Sequence, residues 1–158
     1  MHKYLLMMLF WGGAFAICSS IFCLIRKFTI KRSLYIVTFA AYIGCLLSLT
    51  LLYGTTYPDH QYQLIPFITL IRNIKGQNYY YIQQVLVNIV MFLPMGVLFK
   101  IKDTKLKYTL AAGFIVSLLI ESAQFILKRG VFDVDDLILN TLGTLFGFII
   151  AKNLTDSK

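Results

Sequence analysis

Apolar runs close to twenty residues long recur five times in this chain of 158 residues, and nothing else in it restricts the fold so strongly. At about 1.5 Å per helical residue, a run of that length matches a ~30 Å hydrocarbon core. The runs are Tyr4–Ile25, Ser33–Tyr53, Ile82–Ile101, Tyr108–Leu127 and a fifth from Val134 to Ala151. From Leu137 the fifth would reach only about 22 Å, so it must start earlier, with Asp133 as N-cap and Asp136 in the first turn. Acidic residues suit that place, because helix N-termini carry unpaired N–H groups and the positive end of the dipole. The fold class expected is all-α: a polytopic membrane bundle of about five transmembrane helices.

The first run has a rival reading as a cleaved signal peptide, since Ala14-Phe15-Ala16 resembles a cleavage site. Its apolar stretch continues to Ile25, beyond the usual signal core, so it is read as a retained span. Cys18, Cys23 and Cys45 all fall within apolar runs, where the plain reading is small buried packing residues. No spacing of Cys and His supports a zinc site or a disulfide, and no metal or other cofactor is expected.

The formal net charge is +8, which in a soluble chain would suggest nucleic acid. Here the basic residues sit in short loops, as membrane topology uses them, and nucleic acid is set aside. Loop 26–32 holds Arg26, Lys27, Lys31 and Arg32, and loop 100–107 holds Lys100, Lys102, Lys105 and Lys107. Loop 54–81 has only Arg72 and Lys75. The positive-inside rule then puts 26–32, 100–107 and the C-terminus in the cytoplasm, with the N-terminus and loop 54–81 outside. Tyr53, Tyr57, Tyr62 and Tyr79-Tyr80-Tyr81 in the outer loop suit an interfacial aromatic belt. The apolar segment 64–71 is too short to span, and lies flat in the interface or tucks back into the bundle.

Four of the seven acidic residues crowd into 121–136. A carboxylate at helix centre costs about 2.5–3.5 kcal/mol on insertion scales, so Glu121 is a functional candidate by position. Asn88 and Glu121 each lie six residues from the outer end of their spans, and Asn140 four residues inside Asp136. Three spans thus bring polar side chains to similar depth. Glu121, Gln124 and Lys128 share one helical face, while Asp133, Asp136, Asn140, Gly143 and Gly147 form one stripe. Gly143 and Gly147 permit close helix approach and turn that stripe inward, and Pro94 marks the third span as a helix to bend. Asp135 falls off the stripe and reads as solvated. The bland alternative is interhelical hydrogen-bonding glue, with Arg129 pairing Asp133 or Asp136.

The stretch Asn88-Ile89-Val90-Met91-Phe92-Leu93-Pro94-Met95-Gly96 resembles the N-x-x-x-F-x-P-x-G motif of the VanZ-like membrane family. Leu64-Ile65-Pro66-Phe67 is similar to the short element upstream of that motif, and Glu121, Gln124, Arg129, Asp133, Asp136, Asn140 and Gly143 match its C-terminal half. The resemblance covers roughly 64–150 and divides the chain into a two-helix segment (1–63), a family core (64–151) and a cytoplasmic tail (152–158). It implies a protein of the bacterial cytoplasmic membrane associated with resistance to teicoplanin, an acylated glycopeptide, and no assigned reaction.

Two functions follow. The first is a non-enzymatic envelope protein that binds a lipid-linked or lipopeptide-like ligand at the outer leaflet, through Asn88, Glu121, Gln124, Arg129, Asp133, Asp136 and Asn140. Lys128 and Arg129 would hold an anionic head group. The second is a membrane enzyme acting on a lipid head group or cell-wall precursor, with Glu121, Asp133 and Asp136 as acid and base or with Asp133-x-Asp135-Asp136 around a divalent cation. The absence of an HExxH or a Gly-rich phosphate loop favours the first. Expected partners are membrane lipids, a lipid-linked or glycopeptide ligand, and further copies of the chain or a larger membrane complex.

Overall fold

The computed structural model describes residues 2–51, 56–76 and 79–157, which divide into two compact units with their boundary at Thr55/Thr56. The first unit is a helical hairpin of α1 (His2–Ile25) and α2 (Ile30–Leu51). Its turn is made by Lys27, held at φ 51°, with Phe28 N–H reaching back to the Cys23 carbonyl and Lys27 N–H to that of Leu24. This is a Schellman ending, which satisfies carbonyls that the last turn leaves free. The two helices touch through glycine. A Cβ at Gly44 would stand 2.8 Å from the Trp11 carbonyl oxygen, and one at Gly12 would press on Cys45. Cys45 Sγ also contacts the Met8 carbonyl oxygen at 3.6 Å, and Cys23 is buried. These two cysteines are packing residues as expected, but Cys18 is exposed on the hairpin.

The second unit contains β1 (Gln61–Gln63), α3 (Ile68–Lys75), α4 (Tyr79–Ile101), α5 (Leu106–Ile126), β2 (Val131–Asp133) and α6 (Val134–Asp156). Helices α1, α2, α4, α5 and α6 are each long and apolar enough to cross a membrane. The fold is therefore mostly helical with five candidate spans, as the five apolar runs require. Helix α3, at eight residues and about 12 Å, is too short to do so. Helix α4 continues as one helix through Pro94. Helix α6 runs to Asp156, past Ala151. Of the aromatic-belt residues, Tyr57 and Tyr81 are half-buried and Tyr62 is exposed. Tyr53 and the side chains of Tyr79 and Tyr80 lie outside the described residues.

Helix α6 packs against both α4 and α5, and glycines set how closely. A Cβ added at Gly143 would fall on the Ile89 carbonyl oxygen, and one at Gly147 on that of Leu93. From the other side, a Cβ at Gly96 would fall on the Thr144 carbonyl oxygen. Contact positions rise together along both chains, so α4 and α6 run parallel, backbone against backbone. Phe92 and Met95 on α4 are fully buried. Helix α5 returns antiparallel against α6, where Gly113 makes room for the Thr144 side chain. The close contact lets dispersion and side-chain hydrogen bonds hold helices that lipid gives no hydrophobic reason to associate.

A polar end on the second unit

The polar side chains climb the antiparallel α5–α6 seam in steps of one turn. Thr144 lies against Gly113, Asn140 Nδ2 donates to Ser117 Oγ at 2.9 Å, and Asp133 N–H donates to Glu121 Oε2 at 3.1 Å. Ser117 and Thr144 have no exposed surface, and Glu121 keeps 3%. The spacing Thr109, Gly113, Ser117, Glu121 puts a small or polar residue at every fourth position of α5, and all four are buried. Only Glu121 of these was anticipated, although the i, i+4 pattern was there to be read.

Across the parallel seam, Asn88 Nδ2 on α4 donates to Asp136 Oδ1 on α6 at 2.5 Å. Asn88, Glu121 and Asn140 therefore stand at the same end of the unit, yet each takes a separate partner. Asp133 caps α6 through Asp135 N–H, which donates to its Oδ1 at 2.8 Å, as the sequence requires of an N-cap. Burial pushes the Asp133 carboxyl above its ordinary range; the hydrogen bond from Asp135 N–H opposes the shift, and the Asp135 charge adds to it.

Asp135 corrects the sequence reading. Far from solvated, it is 2% exposed and accepts from Phe67 N–H at 2.6 Å through Oδ1. The helical stripe of Asp133, Asp136 and Asn140 identified the face toward α4 and α5, but a third wall covers the neighbouring face. That wall is the segment before α3. Its strand β1 pairs in parallel with β2, Gln61 opposite Val131 and Gln63 opposite Asp133. Among the described residues, Asp135 Oδ2 and Asn140 Oδ1 are buried and meet no hydrogen-bond partner.

The remaining expected residues lie in the last turn of α5 and in the α5–β2 turn. Lys128 adopts φ 55°, with Arg129 N–H on the Gln124 carbonyl and Lys128 N–H on that of Phe125, a second Schellman ending. Gln124 is half-buried and packs beside Gly130, whose φ of 149° favours glycine. Arg129 is half-buried next to it. The Lys128 ammonium donates to the Pro58 carbonyl at 2.8 Å and so ties the segment before β1 to this turn.

Among the described residues, no three His, Cys, Asp or Glu side chains are placed to hold a metal ion. The reason is local: Asp133 turns to its own helix end, Asp135 to Phe67 and Asp136 to Asn88.

The VanZ/LLP1 family model matches residues 39–155. The chain belongs to the VanZ/LLP1 family. The match begins inside α2, earlier than the residues on which the resemblance rested, so the family pattern reaches into the hairpin unit. No curated protein and no solved structure gives a significant match. With its five candidate spans, this VanZ/LLP1 chain is a multi-pass membrane protein. The motif residues of the VanZ/LLP1 core now have distinct jobs. Gly96, Gly143 and Gly147 build the α4–α6 seam, whereas Asn88, Glu121, Asp133, Asp136 and Asn140 gather at its polar end.

Proposed function

We propose that this VanZ/LLP1 protein binds a lipid-linked or lipopeptide-like ligand at the outer leaflet of the bacterial cytoplasmic membrane. Binding there is how it contributes to glycopeptide resistance or envelope homeostasis. The observation that carries the reading is the Asn88–Asp136 pair, which joins two helices at the end where Glu121 and Asp133 also meet. Asn88, Asp133 and Asp136 are half-exposed, so a polar head group has donors and acceptors within reach while its tail stays in lipid. The charge of the loops supports an outer position for this end, with the N-terminus outside and the C-terminus inside.

The acid–base alternative is weaker. Glu121, its natural general acid, is almost fully buried and holds the Asp133 backbone. An acid that supports a helix entrance is poorly placed to meet substrate.

The test uses the full chain in nanodiscs with teicoplanin as probe and vancomycin as the non-acylated control. Teicoplanin alone should bind, and Asp136→Asn or Asn88→Ala should abolish both binding and any teicoplanin tolerance of expressing cells. Unchanged susceptibility and binding in both variants, at normal expression, sinks the assignment.

A further inference from the structure

The segment 56–67 crosses the α5–β2 turn and reaches the start of α6 by a chain of polar contacts. Tyr57 N–H donates to the Lys128 carbonyl at 2.9 Å, and Lys128 Nζ returns a bond to Pro58. His60 Nδ1 meets the Phe125 carbonyl at 2.8 Å, and because that carbonyl only accepts, Nδ1 carries the proton. The His60 ring also lies on Phe125, with centroids 4.7 Å apart. Strand β1 then pairs with β2, and Phe67 N–H closes the series on Asp135.

What this segment does not do is bury a core. Tyr62, Leu64, Ile65 and Phe67 are 67%, 57%, 60% and 47% exposed. It is fastened by hydrogen bonds with its apolar side chains turned away from the unit it covers. Segments with few buried apolar contacts open at low cost, ahead of the core. Lipid tails or an acyl chain can receive those side chains in either position. Phe67 sits at φ 63°, an uncommon conformation for a bulky residue. Such residues persist only where their surroundings hold them, and they collect at clamps and switches. Beneath the segment are Asp135 and, one step further in, Glu121, both nearly without exposed surface.

We propose that residues 56–67 form a lid over the polar end, latched by Phe67 N–H on Asp135 Oδ1, and that ligand enters by its release. The lid's role in ligand entry rests on the ligand-binding reading above; its opening does not. On release, both carboxylate oxygens of Asp135 become available to a ligand. The occupant the chemistry favours there is a hydrogen-bond donor on an amphiphile, an amide, hydroxyl or amine.

Hydrogen exchange on the full chain in nanodiscs reads the opening without ligand. The amides of Tyr57, β1 and Phe67 should exchange as one group, on the order of tenfold or more faster than those of 143–151. Asp135→Asn should speed Phe67 further. Exchange of the lid as slow as that of α6 overturns the proposal. A second arm locks the lid by Gln61→Cys with Val131→Cys, which are register partners, with Cys18, Cys23 and Cys45 replaced by Ala. The oxidised protein should lose teicoplanin binding and regain it on reduction. Equal binding by both forms overturns the lid as an entry gate and leaves the ligand reading intact. If neither form binds teicoplanin while the lid amides exchange early, the ligand reading falls and the lid stands.

Discussion

Phe67 N–H donates to Asp135 Oδ1 at 2.6 Å, joining positions 68 residues apart in the chain. The bond ties the segment before α3 to the first turn of α6. Asp135→Ala leaves that N–H without its acceptor beneath a covering segment. The expected loss is about 1–3 kcal/mol, read as thermal unfolding in detergent, with faster proteolysis confined to 56–67. Unchanged stability and cleavage would show that the bond holds nothing.

The α4–α6 seam makes a sharper prediction. A Cβ at Gly147 meets the Leu93 backbone, which cannot swing aside as a side chain would. Gly147→Ala should cost at least ~1–3 kcal/mol, the scale of overpacking. Gly13→Ala is the control, since nothing stands within 4 Å of its added Cβ. Equal stability of the two variants would rule out the close helix approach.

Asn88 and Asp136 should be energetically coupled. A double-mutant cycle with Asn88→Ala and Asp136→Ala is expected to give a coupling of about 0.5–1.5 kcal/mol, typical of a side-chain hydrogen bond. Additive losses would deny the bond.

Asp133 gives a pH signature with a definite sign. Its carboxyl is raised in the folded state above its ordinary 3.8. Between those two values the folded protein binds more protons than the unfolded one. Stability from this group is therefore present at lower pH and is lost as pH rises through the folded value. Asp133→Asn keeps a good N-cap and removes the titration. Its stability should fall less steeply than wild type over that window; parallel curves would show that Asp133 does not contribute.

Orientation has its own measurement. A cysteine at Asp59 should react with a membrane-impermeant maleimide from the outer side, and one at Asp103 only after the cytoplasmic side is opened. Reversal of the two patterns would place the polar end on the wrong face for the proposed ligand.

Apolar run length fixed the five long helices to within a few residues, because that signal comes from the chain's own composition. Their endings were harder to see. The α1, α4 and α5 endings use Lys27, Asp103 and Lys128 at positive φ, where glycine is the usual marker. The β1–β2 pairing was invisible too, since three-residue strands carry no period that can be counted. Asp135 was misread for a related reason. A helical wheel assumes one protein-facing side, and α6 meets protein on an additional side through 64–67. Glu121, Asp136 and Asn140 were legible because each interrupts an apolar run at helical spacing. Ser117 and Thr144 were passed over because small hydroxyl residues cost little in a membrane helix and so attract no notice.

Three polar side chains on α4 and α5 are completed by the helix that follows them or by the residue at its entrance. Asn88 waits for Asp136, Ser117 for Asn140, and Glu121 for the Asp133 backbone just ahead of α6. During synthesis α4 and α5 therefore enter the bilayer with these side chains unmatched. At ~5–20 residues per second the ribosome needs roughly one to five seconds to supply α6. Until α6 arrives, Asn88 and Glu121 lack the partners that it and Asp133 bring. The closing helix thus finishes the site and ends the chain's most vulnerable moment in the same step.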